Sequence, residues 1–296
     1  MAMLSPSEAF NFLQDILKMT SIHEKLTTDK AAFLNELVSL YLQHIPFQSF
    51  TVISRPDKDQ HLSTMDDIKA DIFATRGGLC YDHNIFMANL LEALGFDVCL
   101  IGCDIGMHGI HDHVSVLVQN LKTPGDRYHV DVGSGNPLFR AICMDFNQES
   151  PIYKSGYLTH KFTKDGDEFS WWHQITHTAA PSKDDVTVDG WRKFMTFTLV
   201  PRDKEYFRQY MLRHFVTQEH PEEEFSFLTA LRAVVYPNKQ LVAIRNSSLL
   251  LEDDEGNVEK TKIKSKEELL QLCVKYFPQF SYDMLQVVVN KMEHIF

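Results

Sequence analysis

The stretch RGGLCYDHN, residues 76–84, marks the point at which the chain changes character. Two glycines break the backbone, a single cysteine follows, and an apolar pattern of helical period begins. Residues 82–94 predict a helix with Phe86, Leu90, Leu91 and Leu94 on its inner face, and Gly95 stands where a C-terminal cap belongs. Upstream of the glycines the signals are helical. Ser5-Pro6-Ser7-Glu8 is a capping box with proline at the first helical position, and Phe10, Leu13, Ile16 and Leu17 follow at helical spacing. A second helix is predicted from Thr28 or Asp29, with Phe33, Leu34, Leu37, Val38 and Leu42 on one face and Pro46 closing it. A third is predicted over residues 65 to about 75, capped by Thr64, with Asp66 and Asp67 at the positive end of its dipole.

Downstream of Gly95 the period falls to two. Strands are predicted around Val98–Ile101, over 114–118 and over 128–132, the last two joined by the turn Thr123-Pro124-Gly125-Asp126. Shorter strands are predicted near 194–199, 230–236, 241–245 and 249–252. Two helices close the chain, one capped by Ser265 and Glu268 and one over 282–292. Residues 149–189 have weak pattern and several turn residues, which predicts a long excursion over the surface.

Composition narrows the function classes. A chain of 296 residues with 44% hydrophobic content has length enough for a real core. A net charge of −11 argues against non-specific nucleic-acid binding, which runs on lysine and arginine contacts to phosphate, yet leaves room for a local basic pocket. No apolar run approaches the roughly 20 residues that span a bilayer. The start, MAMLSPSEAF, has neither the basic nor the apolar region of a secretory signal. Five irregularly spaced cysteines fit reduced thiols better than a disulfide framework, so the expectation is a cytoplasmic protein.

Cys80 stands about two residues before the predicted helix settles. A thiolate is the reactive form of cysteine, and free N–H groups at a helix start favour that anion and an oxyanion formed by its attack. The plainer reading is a small buried hydrophobe. A nucleophilic thiol needs a base, and the base needs an orienting group. HDHVSVLV puts His113 directly before an alternating strand, and YHVDVGSG puts Asp131 on the next. If the turn centres near residue 122, His113 and Asp131 face each other across a hairpin; a register error of two leaves them diagonal neighbours. His111 is the nearest rival to His113. A competing constellation, MHGIHDH with Cys103 nearby, offers His108, His111, Asp112 and His113 as zinc-type ligands, but the spacing fits no metal motif, and no metal is expected.

On these three stretches the chain resembles the arylamine N-acetyltransferase family. The family pattern RGG-x-C-x-E-x-N reads here Arg76-Gly77-Gly78-Leu79-Cys80-Tyr81-Asp82-His83-Asn84. A histidine opening an apolar strand follows as His113, and a D-x-G-x-G segment as Asp131-Val132-Gly133-Ser134-Gly135. HIPFQSF at 44–50 and FTLVPRDKEYF at 197–207 also resemble family segments. Asp82 replaces the usual glutamate, Gln48 and Ser49 replace Glu-Asn, and Ser134 stands where many bacterial members have phenylalanine. The resemblance implies an α+β fold with a cysteine-protease-like catalytic core. Its parts would be an N-terminal helical bundle over 1–95 carrying the nucleophile, a central β-barrel over 96–200 carrying His and Asp, and a C-terminal α/β lid over 201–296. It implies acetyl transfer from acetyl-CoA, as co-substrate, to arylamines or arylhydrazines, with O-acetylation of N-hydroxyarylamines as an extension. Transfer would be ping-pong through an acetyl-cysteine on Cys80, with His113 and Asp131 completing the triad. Ser134, His214 and Thr217 are the implied coenzyme contacts. The partners would be a small arylamine and an acyl-CoA, with no nucleic acid and no membrane. Two other readings stay open: an amide synthase of the same fold, and a non-catalytic metal- or ligand-binding module on MHGIHDH.

Overall fold

The N-terminal helices form where their capping residues stand. In the computed structural model, which describes residues 4–105, 110–176, 185–216 and 227–296, α1 (Pro6–Asn11) starts at Ser5, whose N–H donates to Glu8 Oε2 at 2.9 Å. It runs on through a wide π-type turn over Phe12–Ile16. A short α2 (Ile22–Thr28) was not predicted, because only Ile22 on it is buried and no apolar period can build up. α3 (Lys30–His44) is capped by Asp29, which accepts from the N–H groups of Ala31 and Ala32 at 3.0 and 2.9 Å. After Pro46 come β1 (Phe47–Gln48), α4 (Phe50–Ser54) and α5 (Met65–Phe73), the last capped by Thr64. α6 (Cys80–Ala93) begins at the thiol itself, two residues earlier than its periodicity predicts.

The strands follow as β2 (Asp97–Asp104), β3 (His113–Gln119), β4 (Arg127–Val130), β5 (Ile142–Cys143), β6 (Tyr153–Ser155), β7 (Leu158–Asp165), β8 (Glu168–Gln174), β9 (Thr187–Val188) and β10 (Trp191–Arg202). They make one antiparallel sheet in the order β5-β4-β3-β2-β10-β8-β7-β6, with β9 paired to β10. The expected barrel is therefore an open, curled sheet among the described residues, with β5 and β6 as its edges. It wraps a core of Ile101, Leu117, Ile142, Met144, Phe162, Phe169, Trp171 and Phe197.

The reading of residues 149–189 as a surface excursion is overturned. β6, β7 and β8 lie inside it, and Phe162, Phe169 and Trp171 are 0–2% exposed. The alternation was hidden because several inward positions carry histidine and serine in place of aliphatics. His160 on β7 and His173 on β8 are directly opposite each other and buried. They are held by polar and aromatic neighbours: Trp171 Nε1–H donates to His160 Nδ1 at 3.1 Å, and His173 stacks on Phe194 at 4.5 Å.

The last third adds α7 (Lys204–Met211), β11 (Arg232–Val235), β12 (Val242–Arg245), β13 (Ser248–Glu252), β14 (Val258–Lys262), α8 (Lys266–Tyr276) and α9 (Tyr282–Lys291). Its sheet runs β1-β11-β12-β13-β14, so the two-residue strand after Pro46 ties the N-terminal helices to the C-terminal strands, Phe47 opposite Val234. One apolar core is continuous from Leu4 through α3 and α6 to Val289 and Met292. No helix among the described residues is long and apolar enough to cross a membrane, and all five cysteines are free thiols.

The buried imidazoles make stability depend on pH. Burial pushes His83, His129, His160 and His214 down to about 4, and His173 well below its ordinary value. Between pH 6.5 and 4 the unfolded chain takes up protons at these five positions and the folded chain does not, so stability falls with pH. Asp82 and Asp112, each raised to about 6 chiefly by burial, and His113, held above its ordinary value by Asp131, work in the opposite sense over part of this window but are outnumbered. At roughly 1.4 kcal/mol per imidazole per unit, the melting temperature is expected to drop by more than about 10 °C between pH 7 and 5.5. A melt that stays flat through that window would contradict the neutral, buried state of these rings.

Candidate active site

The glycine loop before α6 is fastened from three sides. Arg76 is bound to α5 through Nε to Asp71 Oδ1 at 2.8 Å and through its own N–H to the Asp71 carbonyl at 2.8 Å. Gly77 has φ +70°, and a Cβ there would lie 1.9 Å from the Pro46 carbonyl oxygen, so neither the conformation nor the space admits a side chain. The Gly78 carbonyl accepts from Gln48 N–H at 2.8 Å, and Phe47 bridges Gly78 in parallel. Below, His83 is fully buried with Nδ1 against the Tyr41 hydroxyl at 3.0 Å and Nε2 against the Pro46 carbonyl at 3.1 Å. The segment HIPFQSF is thus the floor of the loop.

That scaffold sets Cys80 as the first residue of α6, 5% exposed. Leu79, before it, has no capping side chain; instead Asp82 reaches back and accepts from Leu79 N–H at 2.8 Å. The N–H groups of the first turn have no acceptor within the helix. Asp82 is the position at which the family pattern has glutamate, and the shorter carboxylate still closes the turn.

His113 and Asp131 meet, but not by the register predicted. β3 and β4 pair Val116 with Val130 and Leu117 with His129, which puts Asp131 opposite Ser115 and diagonal to His113. The turn centres one residue later than expected because Asp126 gathers the N–H groups of Leu121, Lys122 and Thr123 at 2.6–2.8 Å. Asp131 lies one residue beyond β4, and the diagonal is bridged by His113 Nε2–H donating to Asp131 Oδ2 at 2.8 Å. Both side chains are buried, at 1% and 0% exposure. With Nε2 so engaged, Nδ1 is the nitrogen left to face Cys80, which is close enough to favour the charged imidazole. Burial lowers the affinity of His113 for a proton, but the Asp131 charge, its hydrogen bond and the contact with Cys80 outweigh this and hold His113 well above its ordinary pKa. Burial likewise opposes ionisation of Asp131, and the imidazolium reverses it to about 2.

Asn84 is the functional residue whose role the sequence reading did not assign. It lies one turn after Cys80 on α6, and its amide joins all the parts. Nδ2 donates to the Val114 carbonyl at 2.7 Å and to Asp131 Oδ1 at 3.0 Å, while Oδ1 accepts from Val132 N–H at 3.1 Å. Gly133 N–H adds a second donor to Asp131 Oδ1 at 2.9 Å. The asparagine that closes the RGG-x-C-x-x-x-N spacing, four residues from the thiol, was the available signal.

The remaining predicted residues divide. Ser134 is half-buried on the turn after Asp131, its Oγ accepting from Asn136 N–H at 3.3 Å, with Tyr236 donating to the next carbonyl, that of Gly135, at 2.8 Å. His214 is buried at the end of the turn that follows α7, within electrostatic reach of His113 and edge-on to Phe227 at 5.3 Å. Thr217 lies outside the described residues. The constellation MHGIHDH is dispersed into other tasks. His111 Nδ1 meets the Tyr206 hydroxyl on α7 at 2.6 Å, Asp112 accepts from Ile105 N–H at 2.7 Å, and Cys103 Sγ lies 3.2 Å from Ser115 Oγ. His108 falls outside the described residues, and among those described no three such side chains are placed to share a metal ion.

Comparison with known proteins bears on the family and the fold. The N-acetyltransferase family profile matches residues 31–279. An arylamine N-acetyltransferase of Mycolicibacterium smegmatis is 27% identical over 253 residues, which span 82% of this chain and 83% of that one. The arylamine N-acetyltransferase of M. tuberculosis superposes with a TM-score of 0.74 at 16% identity, covering 96% of this chain and 98% of the other. The Mycobacterium marinum enzyme in complex with CoA superposes at 0.73, again at 16% identity, over 94% and 97%.

Proposed function

Because the chain belongs to the arylamine N-acetyltransferase family, a family of acyltransferases, we propose that it transfers the acetyl group of acetyl-CoA to arylamines and arylhydrazines through an acetyl-cysteine on Cys80. The observation that carries the reading is the buried line from Cys80 through His113 to Asp131 at the open end of α6. His113 takes the proton of Cys80, and Asp131 balances the imidazolium. The thiolate attacks the thioester carbonyl while first-turn N–H groups receive the oxyanion. The bond to the coenzyme sulfur then breaks, and the leaving thiolate takes the proton back from His113. An arylamine is neutral near pH 7, so its lone pair attacks the acetyl-cysteine; His113 accepts the N–H proton, and Cys80 leaves as thiolate.

Aromatic side chains are packed beside the thiol, which favours an aromatic acceptor. Phe47, which adjoins Gly78, is edge-on to Phe227 at 5.6 Å, and Tyr81, beside Cys80, is edge-on to Phe215 at 6.5 Å. Ser134, His214 and Thr217 are proposed coenzyme contacts. The proposed division into a helical bundle (1–95), a barrel-like sheet (96–200) and a C-terminal lid (201–296) puts the nucleophile on the first part and its base on the second.

The test is intact-protein mass spectrometry after mixing with acetyl-CoA alone. One acetyl group is expected, mapping after proteolysis to the peptide that carries Cys80. An acetyl group on another cysteine overturns the assignment. A protein that acetyl-CoA leaves untouched supports instead an enzyme that takes its acyl group from a carrier.

A further inference from the structure

On the far side of β4 from the catalytic pair lies a second cavity of about 160 Å³, walled by α3 and by β5 and β6. Tyr128 points into it, and strand alternation sends His129 and Asp131 to the opposite face. Arg140 and Lys122 stand at its rim, with Asn35, Tyr153 and the half-buried thiol of Cys143 inside. The Arg140 guanidinium lies 5.5 Å over the Tyr153 ring. Neither Arg140 nor Lys122 forms an ion pair among the described residues, and no carboxylate lines the cavity. Asp126 and Asp145, whose charges reach Tyr128, have hydrogen-bond partners outside the cavity. Asp126 gathers three backbone N–H groups, and Asp145 holds Arg127 at 3.0 Å.

Two cations beside hydroxyl and thiol groups, with no carboxylate on the cavity's own lining, leave a positively charged rim on a chain of net charge −11. We propose that this cavity is a binding site for a small oxyanion, the phosphate or carboxylate group of a compact ligand, held between Arg140 and Lys122 and apart from the reacting thiol. Its volume admits such a group with few further atoms. A planar guanidinium matches two oxygens of a phosphate or carboxylate at once, and the Tyr128 and Tyr153 hydroxyls offer further donors.

Cys143 is a built-in reporter. Iodoacetate and iodoacetamide alkylate the same thiolate, so the ratio of their rates cancels thiol ionisation and reads the preference for an anionic reagent. Cys99 is the control, half-buried with the charge of Asp97 beside it. With labelling followed by peptide mass spectrometry on the full chain, the iodoacetate-to-iodoacetamide ratio at Cys143 is expected to exceed that at Cys99 about tenfold. Arg140→Gln or Lys122→Gln, both at exposed side chains, is expected to bring it down severalfold. At constant ionic strength, inorganic phosphate or acetate, in separate arms, is expected to slow iodoacetate at Cys143 and not at Cys99. Equal ratios at the two cysteines, a ratio indifferent to both substitutions, or protection by neither anion overturns the site.

Discussion

Asp131→Asn is expected to slow acetylation of Cys80 by about four orders of magnitude in a protein that still folds. The two oxygens of Asp131 face different donors. Oδ1 receives the Asn84 amide and the Gly133 N–H, and Oδ2 receives His113 Nε2–H. In the amide variant, an NH2 group in the place of Oδ1 would confront two donors. The amide therefore turns its oxygen to Asn84 and Gly133 and its NH2 to His113. Nε2 must then accept, so the imidazole proton moves to Nδ1, the nitrogen that has to receive the proton of Cys80. The base is held in the wrong tautomer, and its imidazolium has no counter-charge. The substitution is isosteric, and His113 can stay neutral, so no buried charge is stranded. Pre-steady-state acetyl-enzyme formation, read beside a thermal melt, tests this. A folded variant that acetylates near the wild-type rate would show that His113 takes its tautomer from another group.

What could be read from the sequence was whatever chemistry is local. Ser5, Thr64 and Ser265 cap helices through side-chain oxygens that accept from backbone N–H groups three residues on, and each appears where it was predicted. Cys80, His113 and Asp131 were each marked by neighbours in the chain: two glycines, an alternating strand and a D-x-G-x-G turn. The meeting of His113 with Asp131 was legible only to within two residues, since one carboxylate, Asp126, moves the turn centre. β7 and β8 were missed for a different reason. Their inward positions are polar in sequence and become acceptable inside only through partners on other strands, as with His160 and Trp171. Asn84 belongs to the same class. Nothing local to it says that its amide will reach the carbonyl of Val114, 30 residues on, and the carboxylate of Asp131, 47 residues on.

Gly133→Ala is expected to lower the acetylation rate by about 10² or more through distance alone. A Cβ at Gly133 would lie 2.7 Å from Asn84 Nδ2, 2.8 Å from Cys80 Cα and 2.9 Å from the Cys80 carbonyl oxygen. Two of those three atoms are backbone at the start of α6 and cannot swing aside. The segment after β4 has to lift off the helix, carrying Asp131 with it. That movement breaks the Val132 N–H bond to Asn84 and lengthens the Asn84 bond to Asp131, so His113 loses its fixed partner. Overpacking of this kind costs roughly 1–3 kcal/mol, so a melt several degrees lower should accompany the loss. Gly95→Ala is the control. Gly95 has φ +81° with nothing within 4 Å of a Cβ, so alanine there strains the backbone and lowers stability without approaching the thiol. Equal falls in rate for the two variants would assign the effect to stability. A fall confined to Gly133→Ala assigns it to geometry. In the Gly133→Ala background, Asn84→Ala removes one of the three clashes and leaves both backbone contacts, so activity is expected to stay low. Recovery in that double variant would mean that the Asn84 amide alone blocks the approach, and that the backbone of Cys80 has room to yield.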